Sequence, residues 1–499
     1  MSAAILTARK ASVQVGPWLG VLLVAYFFAR LLILFGPTLT FAFLVTIGIF
    51  LGVLVRPAYG ALALAAGVPA LSGMRRGLPV PGLRPSEVLI ALVATAVLLA
   101  LATRTDHVYW TAFDWLALLY VVGTFGLGTF DLIRRGDAFT LTAIGDLLGP
   151  LQFFLMYRAV IGALRTTEWR LKALKYILLT SIPVSILGIA QSLNVGPARS
   201  LVRSLTGVDF SSVYGYQNIP RATGPFPIWH ALGGYLFLVL LLGVALYLDH
   251  STEVMSRRWL TTTLAFTSAG LIATATIAPI AGAFLGALVL GFWSKRVSKL
   301  FVGLAVMGVV LMLVFSPLLT SRYDQQFGPD VALSNRPDYI PQTLWSRYLI
   351  WDQQYAPALA KDDRWLIGYG PGVPVEVDWQ YTETLYITLV MRGGVVLLGI
   401  YVALMLMVAA RARRLARSED PSTRAIARVV YLSIILMAFM HLVANYFVIS
   451  GFPHLLWPLL GLLFAPAPRT SPAAARATPG SQSKEPAKYR PRALGSSTS

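Results

Sequence analysis

The chain has 499 residues, 56% of them hydrophobic and only 13% charged, with a mean hydropathy of +0.68. Apolar runs of about 18 to 25 residues recur along it, each long enough to cross a hydrocarbon core of roughly 30 Å, and one soluble core cannot bury so many. The net charge of +19 would suggest nucleic acid in a soluble protein, but here it sits in short links between apolar runs, so no nucleic-acid partner is expected.

Met1 to Val15 is polar and carries Arg9 and Lys10; the apolar run that follows has no clear small-residue cleavage site, which reads as a retained span near 17–35. Further spans are expected near 38–55, 86–103, 115–132, 141–164, 171–193, 226–248, 258–275, 276–294, 298–316, 380–410, 427–448 and 449–466. A shorter stretch at 58–73, interrupted by Gly67 and Pro69, is either re-entrant or a thin extra span. Backbone polar groups in lipid must be satisfied within their own segment, so the runs are read as helices. The expected fold is all-α: a polytopic transmembrane helical bundle of about 12 to 14 spans over residues 1–465. Residues 466–499, rich in Pro, Ala and Ser, read as a disordered cytoplasmic tail.

Orientation is readable in the second half. Arg257 and Arg258, then Lys295, Arg296 and Lys299, then Arg411, Arg413, Arg414, Arg417, Arg424 and Arg428 fall on one side, the cytoplasmic one by the positive-inside rule. In the first half, Arg75, Arg76 and Arg84 favour the cytoplasm, and so do Arg165, Arg170, Lys172 and Lys175. Three apolar runs separate those clusters, so either one run does not span or one basic cluster lies outside.

Two long polar links, 195–225 and 317–379, fall on the outer side of this count. Links of that length are usually functional. Within the longer one, Ile340 to Lys361 places Leu344, Tyr348, Trp351, Tyr355 and Leu359 at helical spacing, which predicts an amphipathic helix against the outer membrane surface. Arg221, Arg322, Arg336, Arg347 and Arg364 stand on the outer side against the charge trend. A guanidinium grips phosphate oxygens at two points, so the group suggests an anionic ligand such as a lipid-linked phosphate or diphosphate. Ordinary salt bridges to Asp324, Asp330, Asp338, Asp352, Asp362 and Asp363 are the alternative.

Glu383 opens the span that follows, where an ionisable side chain is costly and a functional candidate. Partial burial would raise its proton affinity and suit a general base acting on a hydroxyl; pairing with an outer arginine is the plainer reading. Gly368-Tyr369-Gly370-Pro371-Gly372 is read as a structural turn rather than a phosphate cradle. His107, His230, His250, His441 and His454 show no metal spacing; His230, near the outer end of its span, is a candidate ligand contact, and a satisfied structural role is the plainer reading. Asp362-Asp363 alone is weak ground for a metal site, and the absence of cysteine removes thiolate chemistry.

These landmarks resemble the O-antigen ligase and O-antigen polymerase superfamily of bacterial membrane glycosyltransferases. Arg221-Ala222-Thr223-Gly224-Pro225-Phe226 is similar to the family's R-x-x-G-x-F element. Arg347-Tyr348-Leu349-Ile350-Trp351, with the turn Trp365 to Gly372, resembles its arginine-led outer helix and glycine turn. Glu383-Thr384-Leu385-Tyr386-Ile387, with Gly393, Gly394 and Gly399, resembles the element opening the next span. Phe452-Pro453-His454-Leu455-Leu456-Trp457 in the final spans is also similar, so the likeness covers roughly 190–465. Two departures stand out: Glu383 where ligases carry histidine, and Thr276-Ile277-Ala278-Pro279 where many members show Ser-Arg. The first tilts the resemblance toward polymerase.

The resemblance implies a multi-pass enzyme of the bacterial cytoplasmic (inner) membrane, active at the periplasmic face. Its donor would be a polyprenyl-diphosphate-linked oligosaccharide and its acceptor a second glycan or a lipid-core sugar. Arg221 and Arg347 would hold the diphosphate and Glu383 would be the base. Arg322, Arg336, Tyr348, Trp351, Tyr386 and His230 would contact substrate, and neither metal nor other cofactor is expected. The rival class is a transporter or flippase, for which Asp146, Arg158 and Pro279 are possible midplane features.

Overall fold

The computed structural model describes residues 44–77, 83–103, 110–136, 139–208, 221–249, 251–327, 336–361, 363–371 and 383–466. The span expected at 17–35, the tail from 467 onward, and His107, His250, Asp330, Asp362 and Gly372 lie outside these residues.

The described residues contain helices and no strand. In order they are α1 (Leu44–Val55), α2 (Pro57–Leu71), α3 (Pro85–Thr103), α4 (Ala112–Arg135), α5 (Leu141–Ala163), α6 (Thr167–Ser192), α7 (Ala198–Thr206) and α8 (Trp229–Leu248). Then follow α9 (Arg257–Ala273), α10 (Ile277–Trp293), α11 (Val297–Phe327), α12 (Gln342–Ile350), α13 (Ala356–Lys361), α14 (Leu385–Leu415), α15 (Pro421–Met440) and α16 (Phe452–Phe464). Seven of them (α3, α4, α5, α6, α8, α14 and α15) are long and apolar enough to cross a membrane. The pair α1 and α2, bent by 113°, makes an eighth if it forms one span, while α10 and α16 are apolar but shorter. The protein is a multi-pass helical membrane bundle.

The hub is α8, apolar on every face and buried throughout from Ala231 to Leu246. A helix of that kind must be surrounded, and α6, α9, α10, α15 and α16 surround it. Its glycines let neighbours in: a Cβ on Gly233 would lie 3.1 Å from the Pro279 ring, and one on Gly243 2.8 Å from Leu264.

Antiparallel packing sorts the links onto two ends. At the basic end Asp249 accepts from Arg424 Nε at 3.2 Å and from Arg428 Nη1 at 3.1 Å, and Arg296 donates to the Leu248 carbonyl at 2.9 Å. Arg170 joins this end, within reach of the Asp420 charge. The opposite, loop end carries the links after α6, α9, α11 and α15.

Of the two alternatives left open for the first half, the contacts of α2 favour a basic cluster at the end opposite the second-half arginines. Tyr59, near the start of α2, packs edge-on against Trp169 at the basic end, with ring centroids 5.0 Å apart. Just past the other end of α2, the Ser72 hydroxyl accepts from the Gly451 amide at 3.0 Å, and the Arg75 amide donates to the Leu205 carbonyl at 2.8 Å. The 58–73 stretch therefore runs from one end of the bundle to the other, and the three arginines lie at the loop end. A correction concerns the 317–379 link: α11 continues through Pro317 to Phe327, so the first part of that link is helix. The 195–225 link likewise contains α7.

Candidate functional site

Arg221 enters the site on the segment that leads into α8. Gln191, near the end of α6, fixes that segment: its Oε1 accepts from the Thr223 amide at 2.8 Å and the Gly224 amide at 2.9 Å. Gly224 has φ +53°, a left-handed conformation that glycine adopts without strain. Arg221 is buried and bonds to carbonyls rather than to a carboxylate. Its Nε donates to the Thr274 carbonyl at 2.9 Å, and its Nη2 to the Ala275 carbonyl at 3.1 Å and the Thr276 hydroxyl at 3.0 Å. These carbonyls belong to the C-terminal end of α9, where unsatisfied oxygens and the helix dipole favour a cation. The Trp229 ring lies 4.1 Å from the guanidinium and covers its face.

Arg322, in the last turns of α11, and Arg347, on α12, converge on the same place. Burial, followed by the charge of Arg322 and that of Arg347, pushes the proton affinity of Arg221 well below an ordinary arginine's, with Tyr446 acting in the opposite sense. All three guanidinium charges also reach His230, whose ring meets Tyr446 edge-on at 6.0 Å. Arg347 is buried and paired with Glu383, which is about a third exposed at 36%. Arg322 donates to Gln325. The Nε atoms of Arg322 and Arg347 are buried without a hydrogen-bond partner among the described residues.

The amphipathic helix expected over Ile340 to Lys361 is present, with a difference. Between α12 and α13 the residues Trp351–Tyr355 form a wide π turn. The buried side chains are Arg347, Tyr355 and Leu359, while Tyr348 is exposed and stacks on Trp345 at 5.3 Å. The wide turn brings Arg347 and Tyr355 to one side although they lie eight positions apart, a spacing that a straight α-helix rotates out of register. Burial and the neighbouring charge of Glu383 push the Tyr355 phenol up.

Of the expected site residues, the structure brings Arg221, Arg322, Arg347, Glu383 and His230 together. Arg336 is a backbone clamp, donating to the Gln326 carbonyl at 2.8 Å and the Ile340 carbonyl at 2.9 Å. Trp351 packs beside a small core of Tyr355, Leu359, Tyr369, Val390 and Met391. The Tyr386 hydroxyl donates to the Ala438 carbonyl at 2.6 Å and ties α14 to α15. Arg364 forms a buried ion pair with Asp131 of α4 at 2.9 Å, and Asp131 also pairs with Arg135 at 2.8 Å. The glycine turn is structural. It sits against a break in α14 at Gly393 and Gly394, where the Val395 amide donates to the Trp365 carbonyl at 2.8 Å.

Sequence reasoning missed Trp229, Tyr446 and Tyr355 as walls of the cluster. Trp229 follows Arg221 closely and could have been found as an aromatic beside an arginine; Tyr446, remote in sequence, gave no signal. Thr276, noted for its departure from the Ser-Arg pattern, turns out to be a partner of Arg221. Among the described residues no group of three or more His, Asp or Glu side chains is placed to hold a metal ion.

Compared with known protein families, the chain matches none. No curated protein matches it either.

Proposed function

We propose that the protein is a membrane glycosyltransferase of the O-antigen ligase or polymerase kind, which transfers a glycan from a polyprenyl diphosphate at the loop end of the bundle. One observation carries this reading. Three arginines from distant parts of the chain converge at that end, and among the described residues one carboxylate, Glu383, is paired within the cluster. A diphosphate supplies the missing negative charge, and guanidinium groups bind it in two-point fashion.

In the proposed reaction the acceptor hydroxyl attacks the anomeric carbon of the donor sugar. The new C–O bond forms as the bond from that carbon to the phosphate oxygen breaks, and the electron pair leaves on the polyprenyl diphosphate. Arg221, Arg322 and Arg347 stabilise the charge that grows on the leaving group. Glu383 takes the hydroxyl proton. Its pairing with Arg347 gives the cycle an order: phosphate oxygens compete for the same guanidinium, so donor binding frees the carboxylate to act as base.

A transporter of a similar substrate is the alternative, and the features suggested for it sit near helix ends. Asp146 lies in the second turn of α5 and receives Arg392 at 3.3 Å. Arg158 pairs with Asp114, a first-turn residue of α4. Pro279 is in the first turn of α10.

The deciding experiment follows surface polysaccharide and lipid-linked glycan in a deletion strain complemented with wild type or with Glu383→Gln. Single repeats on the final acceptor mean polymerase; long glycans stranded on the lipid carrier mean ligase. An unchanged glycan profile on deletion discards the enzyme reading.

A further inference from the structure

A second polar chamber lies at the loop end, walled in part by Pro227 of the segment that carries Arg221. It is a cavity of about 200 Å³ whose wall includes Pro227 and Leu389, so it adjoins the arginine cluster without containing any of its three arginines. Its charged lining is Arg76, Arg84 and Arg392 with Glu87 and Asp146. Two ion pairs use four of these groups: Arg76 with Glu87 and Arg392 with Asp146, each at 3.3 Å. Arg84 leaves the balance positive. Its backbone amide donates to Glu87 at 2.9 Å, while its guanidinium makes no ion pair with a described residue.

Two further features point to a ligand rather than to a self-contained charge network. The Gln152 side-chain oxygen and Arg76 Nε are buried with no hydrogen-bond partner among the described residues, and buried polar atoms are rarely left so. Aromatic side chains from three elements (Tyr120, Phe153 and Phe447) stand among the charged groups, giving apolar faces beside paired donors and acceptors. That mixture suits one pyranose ring: hydroxyls bond to carboxylate and guanidinium together while a C–H face lies on an aromatic ring. The surplus guanidinium adds a preference for a negatively charged substituent.

We infer that this chamber binds an acidic monosaccharide unit, a sugar carrying a carboxylate, with Arg84 facing the carboxylate. The inference rests on the reading of the chain as a glycan-handling protein, but its test does not depend on transfer activity.

The test is saturation-transfer NMR on the full-length protein in lipid nanodiscs, with glucuronate, glucose and inorganic phosphate as probes and empty nanodiscs as control. Glucuronate should give saturation transfer several-fold stronger than glucose. Arg84→Ala should reduce it fivefold or more, and Arg84→Lys should restore part of it. Thr124→Phe fills the cavity from α4 and should abolish the signal independently of charge. Arg347→Ala measures the part of the signal that comes from the neighbouring arginine cluster, so that binding there, which the transferase reading requires, is seen separately from binding in the chamber. Equal response to glucose, complete displacement by equimolar phosphate, or a signal lost in Arg347→Ala and kept in Arg84→Ala would each overturn the assignment.

Discussion

A guanidinium held by carbonyl oxygens keeps its whole charge for a ligand, whereas one held by a carboxylate has spent it. Arg221 is of the first kind and Arg364, against Asp131, of the second. Arg347 stands between, since its partner Glu383 is exposed enough to move. Arg347→Ala should therefore lower glycan transfer about 100-fold or more, the loss typical of a charge-stabilising donor, with expression unchanged; glycan of normal length from that variant would sink its role. Arg221→Lys keeps the charge but loses the planar fork that spans two carbonyls and a hydroxyl. Transfer by that variant should fall at least tenfold, measured as lipid-linked donor consumed. The five arginines read as outer were legible because they broke a charge trend. Their division into members held by carbonyls and members tied to a carboxylate was not, because it depends on which group lies opposite.

At the scale of elements, the break in α14 is the point where the long link is fastened. Gly394 has φ +64° and ψ −168°, and a Cβ there would lie 2.0 Å from the Leu366 carbonyl oxygen. Gly394→Ala should cost roughly 2–4 kcal/mol through strain and overlap together, read as a lower Tm with earlier proteolysis of the 336–384 link. Another junction is sensitive to pH. Asp420 caps α15, accepting from the Thr423 amide at 2.8 Å and the Ser422 hydroxyl at 2.7 Å. Burial alone would raise its carboxyl, but the hydrogen bonds from Thr423 and Ser422 outweigh it and hold the group below the ordinary value. The stabilisation is thus complete above pH of about 4 and lost as pH falls through the lower, folded value. Asp420→Ala should cost about 1 kcal/mol at neutral pH, and its Tm deficit should shrink below pH of about 4. The helix over 340–361 was legible from its apolar spacing; the π turn that puts Arg347 and Tyr355 on one side was not, since a single wide turn leaves no mark in periodicity.

For the whole molecule, run length and composition made the membrane bundle plain, and the second-half arginines gathered at one end as read. The first half was illegible because the rule used to orient it counts charges as though they were free. Arg76 pairs with Glu87 and Arg84 lines a cavity, so these charges are engaged inside the loop end of the bundle. The buried α4 cluster has a similar weight for the assembly. Asp131→Ala strands Arg364 beside Arg135 and should cost roughly 3–5 kcal/mol, visible as loss of monodisperse protein in detergent.

Having basic residues at both ends of the N-terminal half also matters before the protein is finished. As the chain leaves the ribosome, the insertion machinery meets Arg75, Arg76 and Arg84 and then Arg165, Arg170, Lys172 and Lys175, which give contradictory instructions about which way to thread. The first consistent instruction arrives with Arg257 and Arg258, after five of the described long helices and both halves of the bent α1–α2 pair have been made. The early helices must then be held uncommitted, or reversed, until α9 emerges. A chain truncated at 208 should insert in both orientations while one truncated at 300 inserts in one. Because the sequence has no cysteine, a single introduced thiol at each end would report the difference by labelling.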